Sequence, residues 1–125
     1  MRYVKTKNIK GYTYLPYKNN DDKLLIIISF LQDIKYDSNR LKNDIAQVNG
    51  NFQMGFDQTW LSISNNIASI KNNFMPGDTE PSPIVTIPLD VFYKLIDEWA
   101  QLYQAQVSEI TLIQDDNGEY RFEWE

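Results

Sequence analysis

Between Leu24 and Val48 the apolar positions Leu24, Ile27, Leu31, Ile34, Leu41, Ile45 and Val48, with Ser38 as the one polar member, recur at alternating intervals of three and four. That spacing keeps them on one face of a 3.6-residue period and predicts one long helix or two helices in register. Asn19-Asn20-Asp21-Asp22 ahead of the run supplies capping oxygens and negative charge for the helix start, and Gly50 supplies the stop. Ile26 and Ile28 thicken the stripe and the flanking charges are irregular, which favours packing inside a domain over a coiled coil. Leu24 to Ile28 taken alone also fits a buried strand, because a short apolar run does not define its period.

The rest of the chain alternates between the two periods. Tyr3 to Tyr17, with Val4, Thr6, Ile9, Tyr12, Thr13 and Tyr14 around Gly11, suits two short strands or an extended arm. Asn51 to Asp57 reads as a loop anchored by Phe52, Met54 and Phe56. A hairpin follows: Asn65-Asn66 as a two-residue turn sets Ile63 opposite Ala68 and Leu61 opposite Ile70. Ser62 then meets Ser69, and Trp60 meets Lys71, on the other face. Residues 74–83 carry three of the five prolines and read as an exposed loop, and Ile84 to Ile87 is a further strand. Pro88 opens a helix in which Leu89, Phe92, Ile96, Trp99 and Tyr103 form an apolar stripe, widened by Leu95 and Leu102 and ending near Gln104 to Ser108.

The chain closes with a hairpin, Glu109 to Gln114 and Glu119 to Glu125. A three-residue loop, Asp116-Asn117-Gly118, pairs Leu112 with Phe122 and Ile110 with Trp124; a tighter Asn117-Gly118 turn sets Ile113 against Phe122 instead. In both registers Tyr120, Phe122 and Trp124 share one strand face, and Glu119, Arg121, Glu123 and Glu125 share the other. Together these elements predict an α+β fold forming a single domain over residues 1–125. It is mostly antiparallel sheet, packed against a long N-terminal helix, or two helices, and one amphipathic C-terminal helix.

Composition removes many functions. The chain has neither His nor Cys, the side chains most used for proton transfer near neutral pH, for nucleophilic attack and for binding transition metals. No glycine-rich phosphate loop and no Ser-His-Asp set can be assembled, so the expectation is a non-enzymatic protein with no cofactor and no metal. An oxygen-only cation site at Asp115, Asp116, Asn117 and Glu119 is formally available, yet Asp-Asp-Asn-Gly is what a hairpin turn selects on its own account. The longest apolar stretch, Leu24 to Leu31, is far shorter than the roughly 20 residues of a membrane span, and no signal core follows Met1. A cytoplasmic protein, monomeric when free, is expected.

Charge is uneven. Residues 1–20 hold Arg2, Lys5, Lys7, Lys10 and Lys18 with no acid, whereas residues 78–125 hold eleven carboxylates against Lys94 and Arg121. The net charge of −5 lacks the basic footprint that phosphate binding requires, so no direct nucleic-acid contact is expected. The acidic block falls into sets that predict a partner-binding surface: Asp97 and Glu98 on the C-terminal helix, Asp115 and Asp116 at the last turn, and Glu119, Glu123 and Glu125 on the last strand. Like charges on one strand are either solvated edge protection or a surface awaiting cations. Trp124 is the candidate aromatic anchor within this set, with Trp60 and Tyr103 as further aromatics of the type enriched at binding hot spots.

Three stretches carry a family likeness: Trp60-Leu-Ser-Ile-Ser, Val85-Thr-Ile-Pro-Leu-Asp-Val-Phe-Tyr-Lys-Leu-Ile-Asp-Glu-Trp99, and Glu109-Ile-Thr-Leu-Ile with the following Asp-Asp-Asn-Gly. Over roughly residues 58–125 the chain resembles small immunity proteins of bacterial polymorphic toxin and contact-dependent growth inhibition systems. The resemblance implies an antidote that binds a cognate toxin C-terminal domain, often a nuclease, and blocks its active site or a neighbouring surface. Two alternatives share some of these features: an acidic nucleic-acid mimic or adaptor of phage or plasmid origin, and a metal-dependent carboxylate hydrolase.

Overall fold

A computed structural model describes residues 1–9, 12–14, 22–72 and 84–125. The expected proline-rich loop at 74–83 and the capping residues Asn19 to Asp21 lie outside these. The N-terminal segment forms β1 (Arg2–Ile9) and β2 (Tyr12–Tyr14), an antiparallel pair, so the two-strand reading holds over the extended-arm alternative. The apolar run beyond it is helical throughout, as α1 (Asp22–Ile34) and α2 (Ser38–Gln47). Lys35, with φ of +54°, ends α1. The stripe nonetheless stays in phase across the break: Leu24, Ile27, Leu31, Ile34, Ser38, Leu41 and Ile45 are all buried. Val48, the last of the series, is exposed because α2 has already ended, in a turn where Asn49 and Gly50 both take positive φ and Gly50 N–H donates to the Ile45 carbonyl.

The segment expected to be a loop after Gly50 is a strand, β3 (Phe52–Gly55), paired with β4 (Thr59–Ser64). Its apolar residues Phe52 and Met54 alternate with Gln53 and Gly55, a period too short to register beside a neighbouring glycine. β4 and β5 (Ile67–Asn72) form the anticipated hairpin in the anticipated register, with Asn65 and Asn66 at φ of +53° and +61°. β6 (Ile84–Pro88) follows, then α3 (Leu89–Gln104), with Phe92, Leu95, Ile96, Trp99, Ala100 and Leu102 buried. The last hairpin, β7 (Glu109–Gln114) and β8 (Tyr120–Trp124), adopts the three-residue loop, pairing Leu112 with Phe122 and Ile110 with Trp124. Gly118 there has φ of +89°, the left-handed conformation this loop demands.

The strands divide into two antiparallel sheets, ordered β2-β1-β7-β8 and β3-β4-β5-β6, which realises the α+β expectation in one compact body. α1 packs on β1 and β7 of the first sheet and on β4, β5 and β6 of the second. A helix with sheets on both sides shows little of its middle to solvent, which is why Ile26, Ile27, Ile28, Ser29, Phe30 and Leu31 are buried in succession. α3 likewise touches β5 and β6 on one side and β8 on the other. The Phe30 ring meets Phe56 edge-on at 5.3 Å and Phe92 at 5.6 Å, while Trp99 reaches Phe122 of β8 at 6.1 Å. Each such ring contributes about 1.5–3 kcal/mol by leaving water, so this aromatic line ties the helices to both sheets.

Candidate interaction surface

β8 is an edge strand, hydrogen-bonded on one side to β7. Its outward face carries Arg121 and Glu123, with Glu119 just before the strand and Glu125 just beyond it. Phe122, on the opposite face, is buried against Trp99. Trp124 shares that face two residues on, past the rim of the core, and is 58% exposed. The strand end is held rigidly, since Glu125 N–H donates to the Glu109 carbonyl and Ser108 N–H donates to the Glu125 carbonyl.

The sequence polarity folds back on itself. β1 lies beside β7, which places the basic N-terminal residues next to the acidic C-terminal hairpin, with Lys7 opposite Glu109 and Lys5 opposite Thr111. Lys5 Nζ reaches Glu109 at 3.9 Å, and the Met1 amino group lies 2.6 Å from Asp116 Oδ1. Hydrogen bonding from that amino group, and then its charge, hold the Asp116 carboxyl below the usual range. Arg121 sits between two acids, in contact with Glu123 and 3.4 Å from Asp115. Its hydrogen bond to Glu123, acting against desolvation and assisted by the charges of Asp115 and Glu123, keeps the guanidinium protonated even more firmly than usual.

The predicted residues therefore separate. Asp97 faces α2, where Lys42 Nζ donates to it at 2.8 Å, so it serves a contact between helices. Asp115, Asp116 and Glu123 each have an internal cation. Glu98, Glu119 and Glu125 have no ion-pair partner among the described residues. Glu119 and Glu125 stand at opposite ends of β8, about 20 Å apart at the rise of an extended strand, so these acids form a line and not a pocket. Among the described residues no group of three or more carboxylates is arranged to hold a metal ion. The loop at Asp116 to Gly118 is instead closed internally, by Asn117 Oδ1 accepting from Glu119 N–H and by Gly118 N–H donating to the Asp115 carbonyl.

A second acidic surface went unrecognised in the sequence. Asp33, Asp37, Arg40 and Asp44 line a groove of about 230 Å³ together with Leu41, Met54 and Phe56, where the α1–α2 elbow passes the edge of β3. The signal was present: these polar positions repeat at four, three and four residues, the helical period of the apolar stripe beside them. Asp33 also has structural work, its Oδ2 accepting from Gln58 N–H at 2.9 Å and from the Thr59 hydroxyl at 2.8 Å.

Comparison with protein families, with curated proteins and with solved structures returns no match. No helix among the described residues is long and apolar enough to cross a membrane.

Proposed function

We propose that this chain is a non-enzymatic immunity protein that neutralises a cognate toxin C-terminal domain, a basic nuclease, by covering its active site or a neighbouring surface. The observation that carries the reading is β8. An edge strand locked at both ends is flanked by exposed Glu119 and Glu125, which have no ion-pair partner among the described residues, and it exposes Trp124 on its other face, while the cations nearby pair with Asp115, Asp116, Glu109 and Glu123. A rigid anionic line costs no ordering when it docks, and it steers toward a surface built to hold phosphates. Trp124 supplies the large, half-apolar side chain that such an interface uses as an anchor. Asp97, tied to Lys42, contributes to the field more than to contact.

The test has two stages. The toxin C-terminal domain encoded beside this chain is expressed in a bacterial host with and without it; rescue of growth supports the antidote reading, and failure to rescue, or the lack of any such neighbour, overturns it. Association rates are then measured across a salt series for Glu119→Lys combined with Glu123→Lys and Glu125→Lys. The three reversals move the net charge by six units, from −5 to +1. Association at low salt is expected to fall about tenfold or more and to lose its salt dependence. Rescue with unchanged association moves the interface away from β8.

A further inference from the structure

The edge of the second sheet differs from β8 in carrying no charge. β3 consists of Phe52, Gln53, Met54 and Gly55, without the lysines, glutamates or prolines by which edge strands repel extra strands. Phe56 N–H donates to the Thr59 carbonyl at 2.7 Å, which sets the parity of the ladder. Phe52 and Met54 turn their backbone groups toward β4, and Gln53 and Gly55 turn theirs outward, where they have no partner among the described residues.

An extended chain hydrogen-bonded to Gln53 and Gly55 would send alternate side chains to the face of the sheet that bears Phe52 and Met54. That is the side on which the groove lies, lined by Asp33, Asp37 and Asp44 against Arg40 alone. None of these four is in an ion pair among the described residues. Met54, 43% exposed, and the half-buried Phe56 offer apolar surface for the aliphatic stems of Lys or Arg beneath their charged ends.

We propose that β3 is a docking strand for an extended, cationic segment of a partner protein, with Lys or Arg at every second position. The backbone of the segment is read by Gln53 and Gly55, and its alternate cations by Asp37, Asp44 and the Oδ1 oxygen of Asp33, since Oδ2 is the atom that serves Gln58 and Thr59. This surface is separate from β8 and does not rest on the antidote reading.

The test is fluorescence anisotropy with the full chain and a labelled peptide in which Lys alternates with Val and Thr. A second peptide of identical composition has its lysines in one block. The alternating peptide is expected to bind about tenfold more tightly, because only its register sends every cation to the groove side. Gln53→Pro removes an outward N–H without breaking the β3–β4 ladder, and is expected to weaken the alternating peptide about tenfold while thermal unfolding stays cooperative. Asp37→Asn with Asp44→Asn provides a second route that leaves the strand untouched, and a similar loss is expected. No binding by either peptide, equal binding of the two, or full binding by the Asp37→Asn and Asp44→Asn variant would each overturn the proposal.

Discussion

Asp33→Ala tests how the first helix is fastened to the second sheet. The carboxylate sits in the last turn of α1 and accepts from two neighbours in β4's approach, Gln58 N–H at 2.9 Å and the Thr59 hydroxyl at 2.8 Å. Gln58 is exposed, so water replaces Asp33 there at little cost. Thr59 is fully buried, and its hydroxyl would lose its partner, which costs about 1–3 kcal/mol. Against this, an acid at a helix C-terminus opposes the macrodipole, and its removal returns about 0.3–1 kcal/mol. The unsatisfied hydroxyl is the larger effect, so a net loss of about 1.5 kcal/mol is expected. For a chain of this size that lowers the midpoint of thermal unfolding, followed by circular dichroism, by about 6 °C. Thr59→Val removes the hydroxyl while keeping its shape, and a double-mutant cycle should return about 1 kcal/mol of coupling. A destabilisation under about 0.5 kcal/mol, or additivity in the cycle, would refute the reasoning.

Other sites give sharper or weaker responses. Trp99 is fully buried between α3 and β8, so Trp99→Ala should cost about 3–5 kcal/mol in urea unfolding, and a loss below about 2 kcal/mol would mean that the sheets close around the vacancy. The Lys42–Asp97 pair is partly exposed, and Lys42→Ala should change stability by no more than about 1 kcal/mol, with the difference shrinking at high salt. Nothing lies within 4 Å of a Cβ built on Gly118, so Gly118→Ala isolates the price of its φ of +89°, about 1–2 kcal/mol by thermal unfolding; Gly118→Asn should lose less.

Much of the local architecture was readable in advance because it depends on neighbours along the chain. The Asn65-Asn66 turn and the register of Leu61 with Ile70 follow from which side chains agree across a short connection, whereas the last hairpin left two registers open that its side chains fit equally and only the folded structure chose the three-residue loop ending at Gly118. The stripe from Leu24 to Ile45 pointed to helix, with a buried strand over Leu24 to Ile28 left open until the structure showed α1 there, and Phe92, Ile96 and Trp99 specified the buried side of α3. The strand at Phe52 to Gly55 escaped notice because it has only four residues, is mostly exposed, and is held as a strand by its pairing with β4.

For the candidate surfaces, residue type pointed to the acids of the last hairpin, and strand alternation set Arg121 and Glu123 on the face opposite the buried Phe122. What these acids meet was not legible. Asp97 with Lys42, Asp116 with the Met1 amino group and Glu109 with Lys5 are all pairs between segments far apart in sequence. Nothing in a local pattern brings the basic first strand against the acidic seventh. The sequence by itself determined periods, faces and turns, since these arise from backbone geometry over a few residues. Tertiary structure alone decided that the strands split into two sheets around α1, which carboxylates pair with which cations, and that a groove opens beside β3. Those outcomes depend on which faces bury each other best, and a face of given polarity does not name its partner.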